Sequence, residues 1–425
     1  MKTISNKNRI SAGQGEAAIG KLLFVAWMAL FVFPFTAIKV DHVRYPIWLI
    51  TLFLVLLVVR RILRNMPVQF PSRSLVIWFV LAVLWRTVEV IRSPGEMREI
   101  SIAFGDFLCV VVVCIFIVPN LFSLENWLRF LTRIYSVLFA VLIILSPYVR
   151  VSSTTADAAG ADKGLKWLFV HPNVAAMFGM TIFLTSLLLI LLYKQNLRWM
   201  ILTLSVLLAS IAAIIPTNAR TTEGTIIAVM VIVCFGLVFG GLWRSGRFEV
   251  RALRYLLIIT VSMVIGTTIF IFFQQMTQSQ LDSLTTGRLF FWISVISTVP
   301  NIWLGVGFLK AGTNLLYDIE DLGAGIDGLY VNILYTDGII GLALFLIVLG
   351  YIVRYAMSYR KREFPYLVII PIAAFLYGLT ETHFWLTPSP LTIAALGISA
   401  IISIKPRNMQ SFARGRGSGI WIAMK

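Results

Sequence analysis

Charge is what this sequence has least of. Asp, Glu, Lys and Arg supply 13% of its 425 residues, against roughly 25% in an ordinary soluble domain, while 59% of the chain is hydrophobic. A soluble fold of this size has no place to hide that much apolar surface, so the composition points to an integral membrane protein. Cysteine is nearly absent too: Cys109, Cys114 and Cys234 lie inside apolar runs without paired metal-ligand spacing and read as buried fillers. No zinc pattern, phosphate-binding glycine loop or Gly-Ser-type nucleophile elbow occurs, which argues against a nucleotide-driven pump. Acidic residues are outnumbered, 19 to 36, giving a formal charge of +17. In a soluble protein that surplus would suggest nucleic acid; here its placement sets the orientation in the membrane, and no nucleic-acid partner is expected.

What is present in abundance is the long apolar run. A helix needs about 17 to 25 predominantly apolar residues to cross the hydrocarbon layer, and about twelve such stretches recur between Leu22 and Ile404. They predict spans near 22–38, 46–63, 74–91, 100–118, 130–149, 174–193, 199–216, 224–243, 253–273, 338–357, 364–380 and 390–404. With the amino terminus in the cytoplasm, cytoplasmic segments hold 25 of the 36 Lys and Arg, outer loops hold 10, and Arg86 sits inside the third span. Both termini are therefore expected in the cytoplasm. Lys2, Lys7, Arg9 and Lys21 resemble a signal-peptide n-region, but the following run is long and lacks a small-residue cleavage site, so it is expected to stay as the first span. The expected fold class is all-α: a polytopic membrane domain over 22–404, a cytoplasmic segment over 1–21 and a basic cytoplasmic tail over 405–425.

Two outer loops stand out. The loop from Arg150 to His171 is rich in Ser, Thr, Ala and Gly and reads as a surface loop. The extracytoplasmic loop over 274–337, between spans nine and ten, is far longer than a connection requires, and loops of that length usually carry function. Its stretch LFFWISVISTVPNIWLGVGF suggests helices lying against the outer face. No inverted repeat or matched pair of broken helices marks the chain as a secondary transporter.

Ionisable groups at the hydrocarbon cost about 2.5 to 3.5 kcal/mol on insertion scales, so each requires a reason. Arg220, in TNARTTEG between the seventh and eighth spans, either snorkels to water, pairs with Glu223, or offers its guanidinium to an anionic ligand. Arg288, in TTGRLFFW, is either a solvated loop arginine or a second fork suited to bidentate grip of a phosphate or pyrophosphate. Asp327 is either a helix N-cap or a general base, and Asp337 with Gly338 looks like the cap or turn that opens the tenth span. His171 and Asn173, in HPNVAAMFGM, suit helix entry and can also hydrogen-bond a sugar. Trp292 and Tyr330 can stack on sugar faces or pack into the bundle. Arg86 and Glu89, three apart on one helical face, are expected to neutralise each other. Glu381, His383 and His42 carry no assignable role beyond lining a cavity.

The order of these elements resembles the O-antigen polymerase and O-antigen ligase family of bacterial envelope enzymes. The resemblance covers residues 171–345: HPN at a span start, T-N-A-R after the seventh span, G-R-x-x-x-W, P-N-x-x-x-G-x-G, then D-G-L-Y-x-x-x-L-x-x-x-G-x-x-G running into a span. It implies a glycosyltransferase-type activity without metal or other cofactor, in the bacterial plasma membrane with its site facing outward. The partners it implies are undecaprenyl-pyrophosphate-linked oligosaccharides, membrane lipids, and a chain-length regulator and flippase. It assigns Arg220 and Arg288 to the pyrophosphate. Where the family often has H-N-x-Y-L, this chain has D-G-L-Y-V, so Asp327 takes the place of the histidine that activates the acceptor. Aspartate there is expected more among repeat-unit polymerases of O-antigen, capsule or exopolysaccharide than among ligases that transfer glycan to lipid A core. The expectation from a different class is a transporter or flippase for a lipid-linked oligosaccharide, holding pyrophosphate with the same arginines.

Overall fold

The computed structural model describes residues 2–32, 44–66, 68–92, 97–146, 168–169, 172–217, 219–244, 288–307, 328–359, 365–379 and 389–404. Its regular elements are helices. In chain order they are α1 (Lys2–Val32), α2 (Arg44–Leu63), α3 (Arg73–Arg92), α4 (Met97–Val112), α5 (Val118–Leu121), α6 (Leu124–Leu145), α7 (Pro172–Leu192), α8 (Leu197–Ile214), α9 (Arg220–Arg244), α10 (Arg288–Ser297), α11 (Leu329–Ser358), α12 (Ile369–Gly378) and α13 (Pro390–Ile402). A π turn over Val113–Ile117 carries α4 into α5. Among the described residues, eight helices are long and apolar enough to cross a membrane, and three shorter apolar helices cover Ala18–Phe31, Tyr366–Gly378 and Pro390–Ile402. These coincide with eleven of the expected spans; the ninth, 253–273, lies outside the described residues.

Two compact units form by contact. The first comprises residues Met1–Leu81, Ile102–Glu223 and Pro388–Lys425. Its centre is α7, apolar on every side and 89% buried over its spanning window, as expected of a helix without a polar face. Helices α6 and α8 pack on it most extensively. On α6 the buried positions Leu124, Trp127, Leu128, Leu131, Tyr135, Phe139 and Leu142 recur at helical spacing, and the Trp127 indole closes on Gly397 of α13. Side chains cap three of these helices: Ser123 accepts from Asn126 N, Asn196 from Trp199 N and Ser389 from Thr392 N, satisfying donors that a helix start leaves unpaired. Opposite faces stay apolar and outward, among them Leu49, Leu52, Leu56, Leu204 and Leu208, the surface a bilayer would cover.

The second unit comprises Ala82–Ser101 and Gly224–Thr387. It departs from expectation in two places. Helix α11 begins at Leu329, well before residue 338, and bends at Gly338, whose φ of 67° and ψ of −169° interrupt the helical run. Cys234, expected as a buried filler, faces outward from α9 on the same apolar surface as Met230 and Leu237; Cys109 and Cys114 are buried as expected.

Candidate functional site

The bend at Gly338 is the centre of the most elaborate polar structure in the second unit. In an uninterrupted helix, Ile339 N and Ile340 N would donate to the carbonyls of Tyr335 and Thr336. Here they donate instead to Ile302 O at 2.9 Å and Trp303 O at 3.3 Å, while Tyr335 O and Thr336 O accept from Val306 N and Gly307 N, each at 2.9 Å. The segment 302–307 thus inserts into the opened helix and returns a partner to each freed group. Buried backbone groups are paired in this way almost without exception.

The P-N-x-x-x-G-x-G motif supplies the shape. Asn301 Oδ1 accepts from Trp303 N at 3.0 Å and Leu304 N at 3.3 Å, closing a turn on its own side chain. Gly305 and Gly338 then meet backbone to backbone: a Cβ on either would run into main-chain atoms of the other segment. The conformation at Gly338 is one that only glycine adopts readily. The second glycine of G-x-x-G, Gly341, leaves the space that the Asp337 side chain and the Trp85 indole occupy.

Four charges surround this interlock. Arg86, 2% exposed, donates from Nη1 to Asp337 Oδ1, itself 1% exposed. One turn along α3, Glu89 is fully buried and accepts from Arg92 Nη1 at 2.8 Å. Arg92 also donates to Leu304 O at 2.9 Å and Gly305 O at 3.4 Å, clamping the inserted segment to α3. Arg86 and Glu89 act on each other electrostatically as expected, and α11 adds a second carboxylate beside Arg86 while Arg92 bonds Glu89 directly. Two cations and two carboxylates leave the quartet neutral, the condition under which buried charge is tolerated. The signal for this in the sequence was an arginine and an aspartate inside predominantly apolar stretches, 251 positions apart.

The residues expected to form the site fall as follows. Arg288 is the first residue of α10, and its side chain lies outside the described residues. Trp292, one turn on, is half-buried and touches Gly328, the residue that follows Asp327 in the chain. Asp327 and His171 lie outside the described residues, as do Glu381, His383 and His42. Gly328 has a φ of 102° and a ψ of 107°, and a Cβ on it would approach Trp292 to 3.0 Å and Leu379 O to 3.2 Å. That gives a physical reason for glycine at this position. Tyr330 donates its hydroxyl to Phe375 O at 2.9 Å and packs its ring on Phe345 and Phe375, which favours packing over sugar stacking. Asn173 is half-buried in the first turn of α7. Arg220 opens α9 exposed, and no ion pair joins it to Glu223. The structure thus brings the α10 and α11 starts together at Trp292 and Gly328; Arg220 belongs to the first unit.

No protein-family model matches the chain, and no curated protein matches it.

Proposed function

We propose that this protein is a polymerase that joins undecaprenyl-pyrophosphate-linked repeat units into a bacterial envelope polysaccharide on the outer face of the plasma membrane. One observation carries the reading: the helix that Arg288 opens and the helix that follows Asp327 meet at Trp292 and Gly328, so the two ends of the G-R-x-x-x-W and D-G-L-Y motifs adjoin. The interlock of P-N-x-x-x-G-x-G with D-G-x-x-G supports it further by holding both motif-bearing segments on α11.

In this reading Asp327 takes the proton from an acceptor sugar hydroxyl, and that oxygen attacks the anomeric carbon of the donor chain as the bond to the pyrophosphate breaks. Negative charge then collects on the departing undecaprenyl pyrophosphate. Arg288 and Arg220, the arginines that the resemblance assigns to pyrophosphate, offset it, a preorganised electrostatic role of the kind that commonly supplies the largest share of catalysis. Single-step displacement inverts the anomeric centre.

Glycan length in cells carrying Arg288→Ala or Asp327→Ala tests the assignment. Single repeats left on the carrier are expected, and long chains of wild-type length would sink it. Long carrier-linked glycan that never reaches lipid A core would instead identify a ligase, and lipid-linked repeats trapped on the cytoplasmic side would identify a flippase.

A further inference from the structure

The first unit carries a second polar feature, at the opposite ends of its helices from the span-connecting outer loops. Helices α6 and α8 both begin on the side that the basic-residue bias assigns to the cytoplasm, and two adjoining grooves of about 460 Å³ and about 210 Å³ lie along α6 there. Arg129, Arg133 and Val137 line both. The larger groove also has Lys21 and Asn126 at its rim, with Ile134 further along. On α8 the smaller one is lined by Trp199, then Leu202 and Val206. On α6 the walls run from Asn126, Arg129 and Arg133 to Ile134 and Val137, and on α8 from Trp199 to Leu202 and Val206, with Thr132, Ser136 and Thr203 among them, an order of polar headgroup and largely aliphatic body like that of a lipid.

The cations are arranged rather than scattered. Arg133 lies over the Trp199 ring, 4.6 Å from its centroid, a cation–π contact that holds the guanidinium beside the groove. Lys21 lies over the Phe122 ring at 5.8 Å. Arg129 pairs with Glu125 at 2.6 Å, yet its Nε is buried without a hydrogen-bond partner among the described residues, as is Gln195 Nε2 beside the smaller groove. Three cations against one carboxylate leave the grooves positive, and the starts of α6 and α8 add the positive ends of two helix dipoles. Such groups ask for an anion with several acceptor oxygens, joined to an apolar body that fills the aliphatic walls.

We infer that this double groove binds one anionic phospholipid from the cytoplasmic leaflet, its phosphodiester held by Arg129 and Arg133 and its acyl chain lying against Ile134, Val137, Leu202 and Val206. Basic pockets between membrane helices on that side are suited to such headgroups. The site is independent of the transfer chemistry proposed above.

The test is lipid retention by the full-length protein. Reconstituted in bilayers of mixed phosphatidylcholine and phosphatidylglycerol, extracted, and weighed by native mass spectrometry, the wild type is expected to retain phosphatidylglycerol in preference to phosphatidylcholine. Arg129→Gln with Arg133→Gln should lower that retention by about tenfold or more, the loss expected when charge-assisted hydrogen bonds are removed. Arg133→Lys, which keeps the charge and loses the stacked fork, should fall between. Equal retention of the two lipids by the wild type overturns the inference without recourse to any variant, as does undiminished retention in the double variant. Displacement of the phosphatidylglycerol by added inorganic phosphate would assign the grooves to free phosphate and overturn the lipid assignment.

Discussion

The buried quartet around Gly338 supports a quantitative prediction built on Arg86→Met, Asp337→Leu and the double variant. Removing one member of a buried ion pair usually costs about 3–5 kcal/mol, because the other charge is left uncompensated, whereas replacing both with apolar groups of similar size is often close to neutral. The quartet refines that rule. Arg86→Met leaves two buried carboxylates, Asp337 and Glu89, with Arg92 alone, and Arg92 is already engaged with Leu304 O and Gly305 O. Asp337→Leu leaves Arg86 with Glu89, three residues along the same helix, as a fallback. The arginine variant should therefore lose about 3–5 kcal/mol, the aspartate variant nearer 1–3 kcal/mol, and the double variant less than the arginine variant alone.

Unfolding in mixed micelles, titrated with a denaturing detergent and followed by circular dichroism, measures all three. The informative quantity is the coupling energy of the cycle, expected at 1 kcal/mol or more, within the range of about 0.5–3 kcal/mol typical of residues in one network. Losses that simply add would show that Arg86 and Asp337 do not act on each other, and the account of the interlock as a charge-compensated unit would fail. An aspartate variant weaker than the arginine variant would refute the fallback role of Glu89.

Gly338→Ala should destabilise the fold by about 2 kcal/mol or more, since the backbone conformation alone costs of order 1–3 kcal/mol for a residue other than glycine and its Cβ meets main-chain atoms of Trp303 and Gly305; the same unfolding titration reads it. Tyr330→Phe should cost about 0.5–1.5 kcal/mol of stability and leave glycan length unchanged, because its hydroxyl is spent on Phe375 O; shortened glycan would return it to the substrate. In the first unit, Gly397→Leu should lower thermal stability by about 1–3 kcal/mol through overpacking, as even a Cβ there comes within 2.7 Å of the Trp127 ring.

Helical class and the places of the long apolar helices were open to the sequence because a hydrophobic run long enough to cross a bilayer is a local property, written in consecutive residues. The start of α11 was not. The stretch from Leu329 to Thr336 is mostly apolar, but Asp337 and Gly338 together carry the composition of a turn, and local rules place the helix start there. What overrides them is Arg86, 251 residues earlier, together with the loop at 302–307 that satisfies the opened backbone. Neither is visible within a window of neighbours. The same limitation hid the rest of the network: spacing on α3 offers Glu89 both Arg86 and Arg92, at three residues on either side, but not the Asp337 that α11 brings to Arg86. Cys234 went astray for a simpler reason, since an apolar run is buried by protein on one face and by lipid on the other, and composition does not distinguish the two.

The interlock also gives the glycine motifs a physical meaning that their spacing alone does not convey. Gly307 N is bonded to Thr336 O, and Gly328 is lodged between Trp292 and Leu379 O, so the chain leaves α11 at one point and rejoins it at another. Thr336 and Gly328 are separated by about eight residues of helix, roughly 12 Å at 1.5 Å per residue. The described segments that end at Gly307 and resume at Gly328 are thus both fixed on α11, which holds the P-N-x-x-x-G-x-G turn and the α11 start in a defined relation.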